Sequence, residues 1–269
     1  MTSPVVVGTG VTLRYGSRLA LSSSDFTIPE AGVTVLIGPN GSGKSTLLAA
    51  IAGLADPVEG ELTVMGTTAA EARGRVSLVL QSTKVNEVLP VTVSEVVAMG
   101  RYASLGLLRR FQRTDRDVLA EALERLDLTR LAGRHLSELS GGERQRVFVA
   151  QGLVQEHELL LMDEPLTGLD ILSQAAIEKV IVEERSRGKT VIVTTHDLAD
   201  AFKADHVLLL AGRVVASGPP GEVLVAENLA EAYRVLDTEG RLLLDDAAHR
   251  PADARHVHID LGAATHRHE

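Results

Sequence analysis

The sequence contains no cysteine. That removes disulfides, thiol catalysis and thiolate metal sites together, and it suits a reducing compartment. Tryptophan is also absent, and aromatics make up only 3 % of the 269 residues. Since 45 % of the chain is hydrophobic, its core must be built from Val, Leu, Ile and Ala. The length suffices for one large domain or a core with a smaller appendage. Positive charge is short as well: 27 Lys and Arg stand against 36 Asp and Glu, a formal charge of −9. That excludes wrapping nucleic acid, or lying on an anionic membrane, by electrostatics alone. No stretch reaches the ~18 uncharged apolar residues that a bilayer-spanning helix needs. The opening "MTSPVVVGTG" lacks the basic flank and apolar run of a signal peptide. A soluble protein is expected, with any membrane connection made through a partner.

Short apolar runs are what the chain does have. Those at 33–37, 159–162, 191–195 and 207–210 read as buried strands. Helical patterns lie between them, which predicts an α/β fold with a parallel sheet and crossover helices. The first 35 residues and "GELTVMG" alternate more cleanly and predict antiparallel strands at one side. From 82 to about 139 the character changes. After "STKVNEVLPVT" the pattern becomes helical, Thr114 with Asp117 offers a capping box, and Leu119, Ala122, Leu123 and Leu126 share one face. An all-helical insertion is expected there, followed by another helix over roughly 171–187 that stops at Gly188. One domain is expected over 4–235. Beyond it, 236–269 loses periodicity and reads as a weakly ordered tail holding five of the nine histidines. His256 and His258, like His266 and His268, are two apart, so a strand would point each pair to one side, and imidazole suits Zn²⁺ or Mn²⁺-type ions. A polar tail without a site is the simpler expectation.

"GPNGSGKST" at 38–46 fits the phosphate-loop pattern G-x-x-x-x-G-K-[ST], after an apolar strand and before the helical "LLAAIAG". In this loop Gly38, Asn40, Gly41, Ser42, Gly43 and Thr46 bring backbone N–H groups round phosphate oxygens. Lys44 adds a point charge, and the Ser45 hydroxyl can sit on Mg²⁺. Two further apolar runs end in polar groups, one in Asp163 and Glu164, the other in His196 after two threonines. Ligands of open α/β sheets lie beyond the carboxyl ends of the strands, so three strands should deliver these groups to one edge. Asp163 suits the Mg²⁺ ion, Glu164 the polarisation of an attacking water, and His196 a hydrogen bond to the γ-phosphate.

A second glycine pair stands in "LSGGERQR" at 139–146, again just before a helical stretch. The phosphate loop, Gln81 after an apolar strand, "LSGGERQR", "LLLMDEP", "TGLD" and "TTHDL" follow in that order. Together they resemble the ATP-binding subunit of an ABC transporter, over about 4–235. The resemblance implies an ABC-type ATPase with a RecA-like parallel sheet core, an antiparallel β subdomain and an α-helical subdomain. It implies a head-to-tail dimer, in which Ser140, Gly141 and Gly142 of one copy close over the ATP held by the other. Tyr15 matches the aromatic that stacks on adenine, Gln81 the residue that reaches Mg²⁺, and Asp170 the loop that touches the opposite protomer. "DEP" is followed by Leu166 where relatives often carry Phe or Thr, which leaves the acidic pair intact.

The insertion is similar to subunits serving manganese, zinc and iron import, as is "GPPGEVLVAENLAEAY". Siderophore and cobalamin importers share part of "TVSEVVAMGRY", and a soluble iron–sulfur assembly ATPase is a rival of another class. Expected partners are a second copy, a polytopic membrane permease and, indirectly, an extracytoplasmic metal-binding protein, with no nucleic acid. Such a subunit would sit at the cytoplasmic face of the membrane. The loop at 82–93, with Val85, Val88, Leu89, Pro90 and Val91, would receive a short helix of the permease.

Overall fold

The computed structural model describes residues 4–81, 90–105 and 111–233; the histidine-bearing tail and most of the apolar loop, including Val85, Val88 and Leu89, lie outside them. The chain opens with β1 (Pro4–Tyr15), β2 (Arg18–Pro29), β3 (Gly32–Ile37) and α1 (Lys44–Ile51). Next come β4 (Glu59–Val64), β5 (Thr67–Thr68), α2 (Ala69–Ala72) and β6 (Val76–Val79). Three helices follow, α3 (Val93–Leu105), α4 (Arg113–Arg125) and α5 (Gly141–Leu153). The chain then alternates through β7 (Leu159–Asp163), α6 (Ile171–Ser186), β8 (Thr190–Thr195), α7 (Leu198–Phe202) and β9 (His206–Leu210). It finishes with β10 (Val214–Gly218), α8 (Pro220–Val223) and α9 (Ala226–Tyr233).

The strands form two sheets. One is antiparallel, in the order β2-β1-β4-β5, and the other runs β10-β9-β3-β8-β7-β6. In the larger sheet β6, β7, β8, β3 and β9 are parallel, and β10 turns back against β9. The apolar runs are buried on both faces, and their residues alternate between two cores with the period of two that a pleat imposes. Val35, Ile37, Leu160, Met162, Val191, Val193, Val207 and Leu209 face one core. Leu36, Leu159, Leu161, Ile192, Leu208 and Leu210 face the other, with α1 and the antiparallel sheet. Full burial of each such side chain stabilises by about 1.5–3 kcal/mol, so the sheet is a rigid platform for whatever its carboxyl ends carry.

Helices α3 and α4 occupy the stretch where a helical insertion is expected, and α5 follows it before β7. Ala122, Leu123 and Leu126 are buried as the periodicity predicts. The capping residues differ from expectation. α4 starts at Arg113 after Gln112, so Thr114 lies inside the helix. The carboxylate that accepts the Gln112 N–H, at 2.7 Å, belongs to Asp115 rather than Asp117. The reason is tertiary: Asp115 is fully buried and paired with Arg101 at 2.7 Å, and local sequence carries no sign of that partner. β10 was also not anticipated, because its half-buried residues lack both an apolar run and clean alternation.

Charged side chains join the helical insertion to the sheet layer. Arg125 on α4 donates to Glu183 and Glu184 on α6, each at 2.7 Å. Arg187 returns to Glu121 at 2.7 Å. His157, in the turn before β7, lies 3.1 Å from the other Glu184 oxygen.

Candidate active site

The loop between β3 and α1 lies at the carboxyl end of the central strand. Gly43 enters α1 with φ 103°, a conformation that L side chains rarely adopt. A Cβ there would stand 2.5 Å from the Ala20 carbonyl oxygen. Lys44 is buried and folds back over its own loop, donating from Nζ to the Gly38 carbonyl at 2.8 Å and the Pro39 carbonyl at 3.2 Å. Burial pulls its ammonium below the ordinary lysine range, while Glu164 and Asp163 oppose that shift. The buried Ser42 hydroxyl has no hydrogen-bond partner among the described residues. An unsatisfied buried hydroxyl costs about 1–3 kcal/mol, which an anion seated in the loop would offset.

β7 and β8 bring the remaining groups. Ser45 Oγ donates to Asp163 Oδ1 at 3.1 Å. Glu164 follows β7 with φ 45°, a strained backbone for a non-glycine residue and one worth about 1–3 kcal/mol. Its Oε2 lies 3.5 Å from Gln81 Nε2 and 4.0 Å from His196 Nδ1. Thus Ser45, Gln81, Asp163, Glu164 and His196, distant in sequence, form one connected cluster. A cleft of about 250 Å³ opens beside it, lined by Asn40, Gly41, Gly43, Lys44, Ser45, Thr46 and Glu164, with Tyr15 and Arg18 at its outer end. Tyr15 is 78 % exposed, which leaves its ring open to stack on a ligand. Arg18 had no signal in the sequence; it joins the cleft only because the β1–β2 hairpin folds over the phosphate loop.

Ser140, Gly141, Gly142 and Asp170 stand apart, with no hydrogen bond to the cleft cluster among the described residues. Ser140 caps α5 through a reciprocal box with Glu143, at 3.2 and 2.8 Å. Asp170 caps α6, accepting from Ser173 N–H at 2.9 Å and Ser173 Oγ at 2.8 Å. The two caps touch: a Cβ on Gly142 would lie 2.4 Å from Asp170 Oδ2. This second cluster lies at the positive, N-terminal end of α5.

A phosphate loop on the central strand, with an acidic pair, a glutamine and a histidine at neighbouring strand ends, defines a nucleotide-triphosphatase of the P-loop class. Residues 21–167 match the family model described as ABC transporter. The chain is 42 % identical over 226 residues to the zinc transport system ATP-binding protein TroB of Treponema pallidum (strain Nichols), covering 83 % of this chain and 84 % of that one. It is 38 % identical over 224 residues to the manganese transport system ATP-binding protein MntB of Bacillus subtilis (strain 168), covering 83 % and 90 %. Among solved structures, an inward-facing putative metal-chelate type ABC transporter matches with a TM-score of 0.74 at 27 % identity, over 86 % of this chain and 89 % of that one. The dimeric post-hydrolysis ATP-binding cassette MJ0796, bound to ADP and Pi, matches with a TM-score of 0.71 at 27 % identity, over 80 % and 98 %. The chain belongs to the ABC transporter family and is one of its ATPases.

Proposed function

We propose that this chain is the ATP-hydrolysing motor of an importer for a metal ion, Mn, Zn or Fe, and that it works as a head-to-tail pair. The assembly of Lys44, Ser45, Asp163, Glu164, Gln81 and His196 at one sheet edge carries the catalytic half of the reading. ATP lies with its phosphates on 38–46 and its base on Tyr15. Mg²⁺ fits the donors present: the Ser45 hydroxyl and the Asp163 carboxylate are hard oxygens 3.1 Å apart that would hold such an ion beside phosphates and water, and Gln81 would add a further oxygen. The ion supplies charge neutralisation on the phosphates. Glu164 orients and polarises the attacking water, and His196 holds the γ-phosphate.

The dimer follows from the second cluster. Ser140, Gly141 and Gly142 offer a helix N-terminus to an anion. A second copy supplies that anion, with Asp170 beside the contact. Among the described residues no helix is long and apolar enough to cross a membrane. In this reading the chain attaches to a permease, at its cytoplasmic face. Leu80, Met99 and Tyr102, which flank the apolar loop in sequence, are exposed and would offer apolar contacts to a permease helix. An extracytoplasmic metal-binding protein feeds that permease. The domain runs over 4–235, with 82–139 as its helical part and 236–269 as a tail.

Metal ions are favoured over siderophore or cobalamin cargo because relatives named for manganese and zinc transport reach 38 % and 42 % identity over most of the chain. The Glu164→Gln variant tests the motor: it should keep ATP bound, lose hydrolysis and elute as a dimer. Turnover at the wild-type rate would overturn the assignment of Glu164. For the cargo, cells producing the chain with its permease should gain Mn, Zn or Fe by elemental analysis, and gain of none of the three would refute metal import.

A further inference from the structure

β7 and β8 are parallel neighbours, and their register sets Asp163 beside Thr194. Thr194 is completely buried. Its hydroxyl donates to Asp163 Oδ1 at 2.5 Å and accepts the Glu164 N–H at 2.8 Å. These directions are forced, since a backbone N–H only donates and an ionised carboxylate only accepts. The one hydroxyl proton is therefore committed to Asp163 and a lone pair to Glu164. Asp163 Oδ1 also receives Ser45 Oγ, so the hydroxyl of Thr194 sits behind the same oxygen that meets the phosphate loop. Glu164 needs an anchor at this point because its backbone is held at φ 45°, and its N–H is the group nearest the strained bond. Thr195 offers no substitute, because its hydroxyl accepts the Asp197 N–H at 3.0 Å and donates to Asp200 Oδ2 at 3.5 Å.

We infer that Thr194 is a positioning residue for ATP hydrolysis, whose single hydroxyl orients the Asp163 carboxylate and fixes the backbone from which the Glu164 carboxylate is aimed. The inference rests on the roles proposed above for Asp163 and Glu164. Valine has the shape of threonine without either hydrogen bond, and serine keeps both while losing only a methyl group. Partners that orient catalytic or metal-binding groups typically contribute about 10–100-fold.

The test uses the full chain with Thr194→Val, Thr194→Ser and Glu164→Gln. Steady-state ATPase rates, affinity for a fluorescent ATP analogue with and without Mg²⁺, and urea unfolding are measured on each. For Thr194→Val the expected result is a kcat lower by about 10–100-fold, KM for ATP within about threefold of wild type, and a reduced gain in analogue affinity from Mg²⁺. Thr194→Ser should restore kcat to within about threefold. A valine variant with wild-type kcat and an unchanged Mg²⁺ response overturns the inference, as does a loss that serine does not rescue. If the valine variant fails to fold, Thr194→Ser and Thr194→Ala are compared: the inference requires serine to retain the rate and alanine to lose it. An inactive Glu164→Gln beside a fully active Thr194→Val sinks the role of Thr194 alone. An active Glu164→Gln sinks the underlying assignment instead.

Discussion

Replacing Glu184 with glutamine would remove one negative charge from the junction that ties α4 to α6 while keeping the shape of the side chain. Its carboxylate is 4 % exposed and takes Arg125 on one oxygen and His157 on the other, with Arg187 3.7 Å away. Burial pushes the Glu184 pKa up, but the hydrogen bonds from His157 and Arg125, with their charges, overrule it and bring it from 4.5 to about 2. At ~1.4 kcal/mol per pKa unit, that difference is about 3 kcal/mol in favour of the charged form. Screening by the solvent that reaches this junction trims it to about 2 kcal/mol. The folded pKa is depressed, so this stability is fully present above the unfolded value of 4.5 and is lost as pH falls toward 2. Glu184→Gln should therefore unfold in urea with a deficit of about 2 kcal/mol at pH 7. The deficit should persist near pH 5 and shrink by about half near pH 3, a window below the ordinary histidine range. A deficit of equal size at all three pH values, or none at pH 7, would refute the reasoning that the charge holds this junction.

Other outcomes follow from single contacts. Gly100→Ala places a methyl group 2.0 Å from the Gln151 carbonyl oxygen, so α3 must move off α5; the expected cost is about 1–3 kcal/mol, read by urea unfolding, with hydrogen exchange rising in both helices. Tyr15→Ala should weaken binding of an ATP analogue by about fivefold, the worth of roughly 1 kcal/mol of stacking, and Tyr15→Phe should bind like wild type. A loss as large with phenylalanine would assign the role to the hydroxyl rather than the ring.

Much of the site was legible in the sequence because its chemistry depends on short spacings. The phosphate loop needs glycines at set offsets from Lys44 and Ser45, and those offsets are visible without a fold. The strand ends were legible too: apolar runs that stop at Asp163, Glu164 and His196 reveal both the sheet and the edge where its ligands gather. Capping was harder. Asp115 displaced Asp117 because a buried arginine needed a carboxylate, and no window of a few residues contains that information. Arg18 and Thr194 stayed hidden for a similar reason. An arginine in a hairpin and a threonine in an apolar strand look ordinary until folding sets them against the phosphate loop and the acidic pair.

The linear order of residues by itself determined which chemical groups this chain owns: a phosphate loop, two carboxylates after a buried strand, a capped glycine pair and no thiols. It also determined the alternation that buries five parallel strands on both faces. Only the tertiary structure decided how those groups meet. Strand register put Thr194 behind Asp163, chain crossover brought Gln81 to Glu164, and the fold set Gly142 against Asp170. Hydrogen bonds act over about 3 Å, whereas these partners lie tens of residues apart in sequence, so their pairing becomes readable only once the chain has closed those loops.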